Sequence, residues 1–356
     1  DVKVSMKLLI GTTISTISSI AGESITLPSG SVSNGTYYSV KKLVPKLKTF
    51  GNNFFSAFPN TVKTTSDLSY YKTLEILNEE FNGQLTLAIT IFKGRYQRNF
   101  LYQLISSQLD MDRLDYLKRD SFYTGVSEGN INSDRLLVML NVKNDELVVE
   151  GKGIYSVEKF IVARRLMYWQ VYLHKTVIAA DALLVSILQR AREMAKTGST
   201  LGSYHPLMHF LFKDVNPDDF NEEDLDLFVL LDDIDIMSAI KEWQFHEDPI
   251  LSEMSKRLLR RHLPKIKVQL EPIDFGVKQL MRSQAASIFG VSDERILDYF
   301  VHVGVLKNDA YRSEGGGIRI LKKDGSVVDV AAASDNYNLD SLKDTVTKYY
   351  ITYWEF

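Results

Sequence analysis

The sequence predicts a mainly α fold with a small α+β region at its C-terminal end and an irregular or β-rich N-terminal segment. Three observations carry this. The 356 residues are 45% hydrophobic and 24% charged, enough apolar content to bury a core. From about residue 73 onward, apolar residues recur at helical spacing through most of the chain. Near the end, residues 319–321 and 327–330 flank an Asp324-Gly325 pair, a strong hairpin signal.

Taken in order, residues 1–70 hold 21 Ser or Thr and neither His nor Arg. Hydroxylated and β-branched side chains compete with or crowd the helical backbone, so this segment reads as strands, turns and loops. Pro28-Ser29-Gly30 and Asn34-Gly35 read as turns within it. Leu74, Leu77 and Phe81 open the helical part, and a helix is expected over about 99–119. Residues 145–149 read as a short strand ending near Gly151 and Gly153. Ser156 is a plausible N-cap, with Glu158 in the first turn, for a helix reaching about Met194 because no Pro or Gly interrupts it. Gly198 and Gly202 mark a loop, and further helices are expected over about 224–231, 235–245 and 249–262. The resulting division is an N-terminal segment at 1–70, a helical domain at 71–275 and a small α+β region at 276–356.

Composition excludes several function classes. Lys and Arg number 42 and Asp and Glu 45, so the net charge is 42 − 45 = −3, and nucleic acid is not indicated as a partner. There is no cysteine, which removes disulfides, thiol nucleophiles and thiolate metal sites. No run approaches the ~18 apolar residues of a membrane span, and Thr and Ser interrupt the apolar stretch after Lys7 too early for a secretory leader. A cytoplasmic location is the expectation.

Two stripes carry chemistry. Asp112, Tyr116 and Asp120 recur every four residues, so they share one helical face, with Arg113 beside Tyr116. A carboxylate, a guanidinium, a phenol and a second carboxylate suit a metal-bound phosphate ester carrying a sugar. The plainer reading is a solvated helix with an Asp115–Arg119 ion pair. On the later helix Arg164, Tyr168 and Tyr172 repeat the spacing, and an arginine between tyrosines can clamp a phosphate and stack on a base. The plainer reading there is an aromatic core stripe with a snorkelling arginine. The acidic run Asp214, Asp218, Asp219, Glu222, Glu223, Asp224 and Asp226 reads as a solvated helix start. The basic cluster from Lys256 to Lys267 reads as a solvated or interface face, and Gly315-Gly316-Gly317 as a loop rather than a phosphate cradle. His205 and His209 have helical ligand spacing but no evident third ligand.

Three segments together resemble one known family. LDMDRLDYLKRDSFYTGV at residues 109–126 is similar to the signature helix of the HD-domain phosphohydrolases, in the branch related to deoxynucleoside triphosphate triphosphohydrolases. GIYSVEKFIVARRLMYWQVYLHKT at 153–176 resembles the next helix of that branch, and DDIDIMSAIKEWQFHEDPILS at 232–252 resembles its downstream helices. The resemblance covers residues 71–275 well and 325–356 more loosely. It implies an HD-type helical bundle, a nucleotide or deoxynucleotide ligand, a divalent metal (Mn, Mg, Fe or Zn) and a homo-oligomer. Carried over by position, it implies that Asp112 is a metal ligand, that Arg113 and Arg164 contact phosphate, that Tyr116 and Asp120 hold the sugar, and that Tyr168 and Tyr172 line the nucleotide pocket. The family's other metal ligands are an upstream His and a His-Asp pair. In this sequence all six histidines follow Asp112, and no His-Asp pair occurs. The resemblance therefore implies a nucleotide phosphohydrolase impaired in its metal set, or in the alternative a nucleotide-binding pseudoenzyme or oligomeric scaffold.

Overall fold

The computed structural model describes residues 74, 78–79, 81–202, 205–214, 221–308, 311–312, 316–335 and 345–355. The expected turns at Pro28 and Asn34-Gly35, and the Ser/Thr-rich segment that contains them, lie outside the described residues.

In chain order the elements are helices α1 (Thr86–Phe92), α2 (Asn99–Ile105), α3 (Met111–Thr124) and α4 (Ser133–Met139), then strands β1 (Leu140–Lys143) and β2 (Glu146–Glu150). Helix α5 (Ile154–Met167) runs into a π-helical turn at Tyr168–Tyr172. Helices α6 (Lys175–Lys196), α7 (His205–Phe212), α8 (Glu222–Leu230), α9 (Asp233–Trp243) and α10 (Pro249–Leu259) follow. Then come β3 (Lys265–Gln269), α11 (Phe275–Phe289), α12 (Glu294–Leu297), β4 (His302–Asn308), β5 (Arg319–Leu321), β6 (Val327–Asp329), α13 (Val330–Ala333) and β7 (Val346–Tyr353). The mainly α character and the small β content match the expected fold class. Among the described residues no single helix is long and apolar enough to cross a membrane.

Contacts divide the described chain into two units. One joins residues 84–174 to 307–347, and the other joins the described residues up to Gly83 to 175–306 and 348–356. Among the described residues the cuts fall at Gln84, Lys175, Lys307 and Lys348, so each unit draws on separated stretches of chain.

In the first unit, a four-stranded sheet has the order β1-β2-β5-β6. Asn144 and Asp145 both take positive φ, the two-residue turn that hairpin twist favours, and they join β1 to β2. Strand β1 itself was not anticipated, because Leu-Asn-Val-Lys is too short to show a period. The β5–β6 hairpin forms as expected, with Gly325 at φ +82° in its turn. Strand β5 pairs in parallel with β2, a register in which Val149 faces Ile320. Leu117, Leu136, Val157, Phe160 and Met167 fill the core against these strands.

Two expected helices are each divided. The helix over 99–119 breaks after Ile105, because Asp110 caps a new one: its carboxylate accepts from Arg113 N at 2.8 Å and from Ser107 N at 3.3 Å. Short polar side chains offer the backbone this local alternative to helix. The helix expected from Ser156 to Met194 starts instead at Ile154, after Gly153, and leaves the α pitch at Tyr168. Glu158 is consequently not a first-turn residue on the surface. It is fully buried, with Oε1 accepting from Ser334 Oγ at 2.6 Å.

The second unit packs α6, α7, α9 and α10 around Leu188, Leu207, Ile240, Trp243 and Leu251. Its three-stranded sheet has the order β3-β7-β4. Three sequence readings change here. Asp224 is not solvated: it is buried, closes a capping box with Asn221, and bonds His209 Nε2 at 2.7 Å and Lys213 Nζ at 2.6 Å. His209 is thereby committed to Asp224, and Asp218 and Asp219 lie outside the described residues, as does the side chain of His205. Arg257 stacks over Trp354 and Phe289, with its Cζ 4.6 and 4.9 Å from the ring centroids, so part of the basic cluster is a packing group.

His302 is enclosed in this unit, with Nε2 2.8 Å from Ser186 Oγ and 3.2 Å from Tyr299 O. Burial pushes its pKa below the ordinary 6.5. The unfolded chain then binds the proton more tightly than the folded one, so stability is complete above about pH 6.5 and falls as pH drops below it. Melting temperature is expected to decline from pH 7 to pH 5, and less steeply in His302→Gln. Equal slopes in both proteins would remove His302 as the cause.

Candidate functional site

The site grows from α3 and the end of α5, both in the first unit. Leu114 and Leu117 bury one face of α3, which turns Asp112, Asp115, Lys118 and Arg119 to solvent and leaves Arg113, Tyr116 and Asp120 half-buried. Packing of α3 against α5 is close around Gly129. A Cβ on the buried Gly129 would stand 2.5 Å from Met167 Sδ and 2.8 Å from Ser121 Cβ. Gly129→Ala is therefore expected to destabilise the chain by about 1–3 kcal/mol, read by urea denaturation. A loss within ±0.5 kcal/mol would show that this layer yields freely.

Five of the seven anticipated site residues form one connected chain. Tyr172 Oη donates to Asp120 Oδ2 at 2.5 Å. The Tyr172 ring meets Tyr116 edge-on at 6.0 Å and Tyr168 at 5.1 Å between centroids. Arg164 Cζ lies 5.8 Å from the Tyr168 ring centroid. The π turn makes this possible: Leu173 N donates back to Tyr168 O at 2.7 Å, and the wider turn carries Tyr172 onto Asp120. Burial, reinforced by neighbouring Tyr168, raises the Tyr116 pKa. Burial, with Asp120 as acceptor, raises that of Tyr172. Both remain neutral phenols, able to donate, across the working pH range.

Beside this chain opens a cleft of 710 Å³, lined among others by Arg113, Arg164 and Tyr168. That volume falls within the few hundred to roughly 1,000 Å³ usual for small-molecule sites. Arg113 Nη1 bonds both Ser107 O and Asp110 Oδ2. The buried Asp110 has its pKa raised by desolvation, with the Arg113 N–H and guanidinium opposing that rise. Arg164 Nε is buried and has no hydrogen-bond partner among the described residues. An orphaned guanidinium N–H costs free energy until an acceptor arrives, and an anion in the cleft would be one.

Sequence reasoning missed the rest of the wall. Lys307, Arg312 and Gly316 also line the cleft, and among the described residues no carboxylate does. Gly316 belongs to the stretch read as a plain loop; the adjoining Gly315 lies outside the described residues. The signal available in sequence was thin, a Lys-Asn-Asp-Ala-Tyr-Arg run with no period.

Asp112 sits exposed in the first turn of α3 and does not line the cleft. Among the described residues no three His, Asp or Glu side chains converge in a way that could hold a metal ion. These residues do not by themselves fit a divalent metal centre, and no chemical step is derived through one.

Comparison with known proteins places this geometry in a family. A family model described as an HD associated region matches residues 131–201. YwfO of Bacillus subtilis, an uncharacterized protein, is 36% identical over 170 residues, which are 47% of this chain and 37% of YwfO. A Dictyostelium discoideum protein named as a homologue of the deoxynucleoside triphosphate triphosphohydrolase SAMHD1 is 24% identical over 131 residues, 35% of this chain and 25% of that one. The chain thus spans well under half the length of these relatives. The crystal structure of a phosphohydrolase from Bacteroides thetaiotaomicron superposes with a TM-score of 0.80 at 39% identity, covering 90% of this chain and 86% of that one. Agreement of that extent in both sequence and fold, together with the HD associated region, means that the chain belongs to the HD-type phosphohydrolase family.

Proposed function

We propose that this chain is the body of a deoxynucleoside triphosphate triphosphohydrolase-like protein that holds a nucleotide through its phosphates, and that hydrolysis is impaired or absent in the chain as its sequence stands. The observation that carries the nucleotide reading is Arg164: its buried Nε has no hydrogen-bond partner among the described residues, its side chain lines an open cleft, and Arg113 and Tyr168 flank it. Phosphate answers the guanidinium, and Tyr168 offers a face for a base or sugar. Tyr116 and Asp120, tied to Tyr172, stand behind Tyr168 as the hydroxyl-binding group. The relative named as a deoxynucleoside triphosphate triphosphohydrolase supports the ligand class.

Impairment is supported by the sequence, in which every histidine follows Asp112. A catalytic divalent metal takes three or more protein ligands as a rule, and Asp112 alone is not enough. The alternative is a nucleotide-binding pseudoenzyme or oligomeric scaffold that keeps the pocket. A cytoplasmic setting and a homo-oligomer go with either reading.

The test is to purify the chain, quantify bound Mn, Mg, Fe and Zn, and measure phosphate and triphosphate release from deoxynucleoside triphosphates beside thermal shift. A melting temperature that rises with nucleotide, without metal or turnover, is expected. Stoichiometric metal with turnover would overturn the impairment. No nucleotide effect on melting, and no turnover, would overturn the nucleotide reading.

A further inference from the structure

The turn that enters α3 is built around one enclosed carboxylate. Asp110 is 3% exposed, and among the aspartates that cap described helices it alone is buried. A helix N-cap needs one acceptor, and Ser, Thr or Asn supplies it without taking a charge out of water. Asp110 does more than cap. Its Oδ1 accepts from Arg113 N at 2.8 Å, which is the capping bond. Its Oδ2 accepts from Ser107 N at 3.3 Å and from Arg113 Nη1. The same Nη1 donates to the Ser107 carbonyl, and Leu109 N donates to Ser107 Oγ at 3.2 Å, so the acceptor carbonyl is itself tied down.

A guanidinium is planar, and holding one terminal nitrogen by two acceptors fixes its plane and the direction of the remaining N–H groups. Those on Nε and Nη2 of Arg113 have no hydrogen-bond partner among the described residues. The Arg113 side chain lines the cleft and keeps 28% of its surface exposed, against 4% for that of Asp110. The carboxylate and the carbonyl thus hold the arginine from behind, and its two unused donor groups are left for a ligand.

We propose that Asp110 is a positioning residue for the cleft: without touching the ligand, and together with the Ser107 carbonyl, it presents the Arg113 guanidinium to an anion in one fixed orientation. An arginine held this way gives up little side-chain freedom on binding, and its planar fork meets a phosphate with two N–H groups at once. The inference rests on the reading of Arg113 as a phosphate contact. The opposite expectation, that the carboxylate only cancels the charge of Arg113, predicts tighter anion binding once it is removed.

Asp110→Ser separates the two, because serine keeps a capping oxygen but leaves the guanidinium without its charged partner. Calorimetric titration of the full chain with a deoxynucleoside triphosphate and with inorganic pyrophosphate gives the affinities, and arginine side-chain NMR of the free chain reports the restraint on Arg113. Asp110→Ser is expected to weaken both ligands about two- to tenfold, the cost of immobilising one long side chain on binding. The Arg113 Nη signals, resolved in the parent by hindered rotation about Nε–Cζ, should merge. In an Arg113→Gln background the same substitution should change neither affinity, whereas loss of a merely structural cap would weaken binding there too. If Asp110→Ser folds poorly, Asp110→Asn gives the same reading with the shape of the turn kept, since one of its two acceptors becomes a donor. Affinities unchanged or higher in the variant, an equal loss in the Arg113→Gln background, or Nη signals already merged in the parent would overturn the inference. Pyrophosphate binding with the expected coupling, but no nucleotide binding, leaves it standing and overturns the nucleotide reading instead. Nucleotide binding without the coupling does the reverse, and a chain that binds neither ligand overturns both.

Discussion

Alanine in place of Trp243 is expected to lower the unfolding free energy by about 3–5 kcal/mol, the usual cost of emptying a large aromatic site in a core. Trp243 is completely buried at the end of α9. Its indole N–H donates to Leu201 O at 3.0 Å, so truncation leaves both a cavity and a buried carbonyl without its donor. Trp243→Phe separates the two effects: it keeps most of the apolar volume and loses the hydrogen bond. Its cost should be markedly smaller. Urea titration followed by far-UV circular dichroism gives both numbers, and an alanine variant within 1 kcal/mol of the parent would mean that the site collapses around the gap.

Arg164→Ala should behave in the opposite way, with little effect on the free chain and a large one on the bound chain. Arg164 Nε has no acceptor among the described residues, so removing it breaks no bond there; the contact with the Tyr168 ring is worth about 0.5–2 kcal/mol between the exposed and desolvated limits. A charged hydrogen bond to phosphate is worth about 1.5–3 kcal/mol, or roughly ten- to 150-fold in affinity. At a ligand concentration 100 times the dissociation constant, binding stabilises by about 2.7 kcal/mol. A hundredfold weaker variant retains about 0.4 kcal/mol at the same concentration. The nucleotide-dependent rise in melting temperature should thus nearly vanish while the unliganded melt stays put. A large drop in the unliganded melt, with the nucleotide shift preserved, would make Arg164 a packing residue and sink its role as phosphate contact.

Local structure was legible where local rules decide it. Asp324-Gly325 announced the β5–β6 hairpin, and the capped helices at α8, α9 and α10 began within two residues of their expected starts. The spacing of Arg164, Tyr168 and Tyr172 marked residues that do cluster. Three things were not legible. A π turn depends on what Tyr172 meets across the fold, namely Asp120, which no window around residue 172 contains. The break before α3 is written in Ser107 and Asp110, but those residues suit a helix surface equally well until their backbone partners are known. The parallel β2–β5 pairing and the Lys307–Arg312 wall join residues more than 130 positions apart, beyond the reach of any periodicity. Sequence reading found the half of the cleft carried on two helices and missed the half carried by the end of β4 and by Arg312 and Gly316.

The order of strands in the second unit has a consequence for synthesis. In the sheet β3-β7-β4 the central strand is the last of the three to leave the ribosome. Until Val346–Tyr353 emerges, β3 and β4 have no neighbour between them, and Lys265 and Lys267, whose partners are Tyr353 and Ile351, line an open edge. At about 5–20 residues per second that edge stays unpaired for several seconds in each round of translation. Lysines at alternate positions on a bare strand are a common guard against pairing with another chain. The same two residues that look like surplus charge on the finished sheet therefore protect the nascent one while it waits for its middle strand.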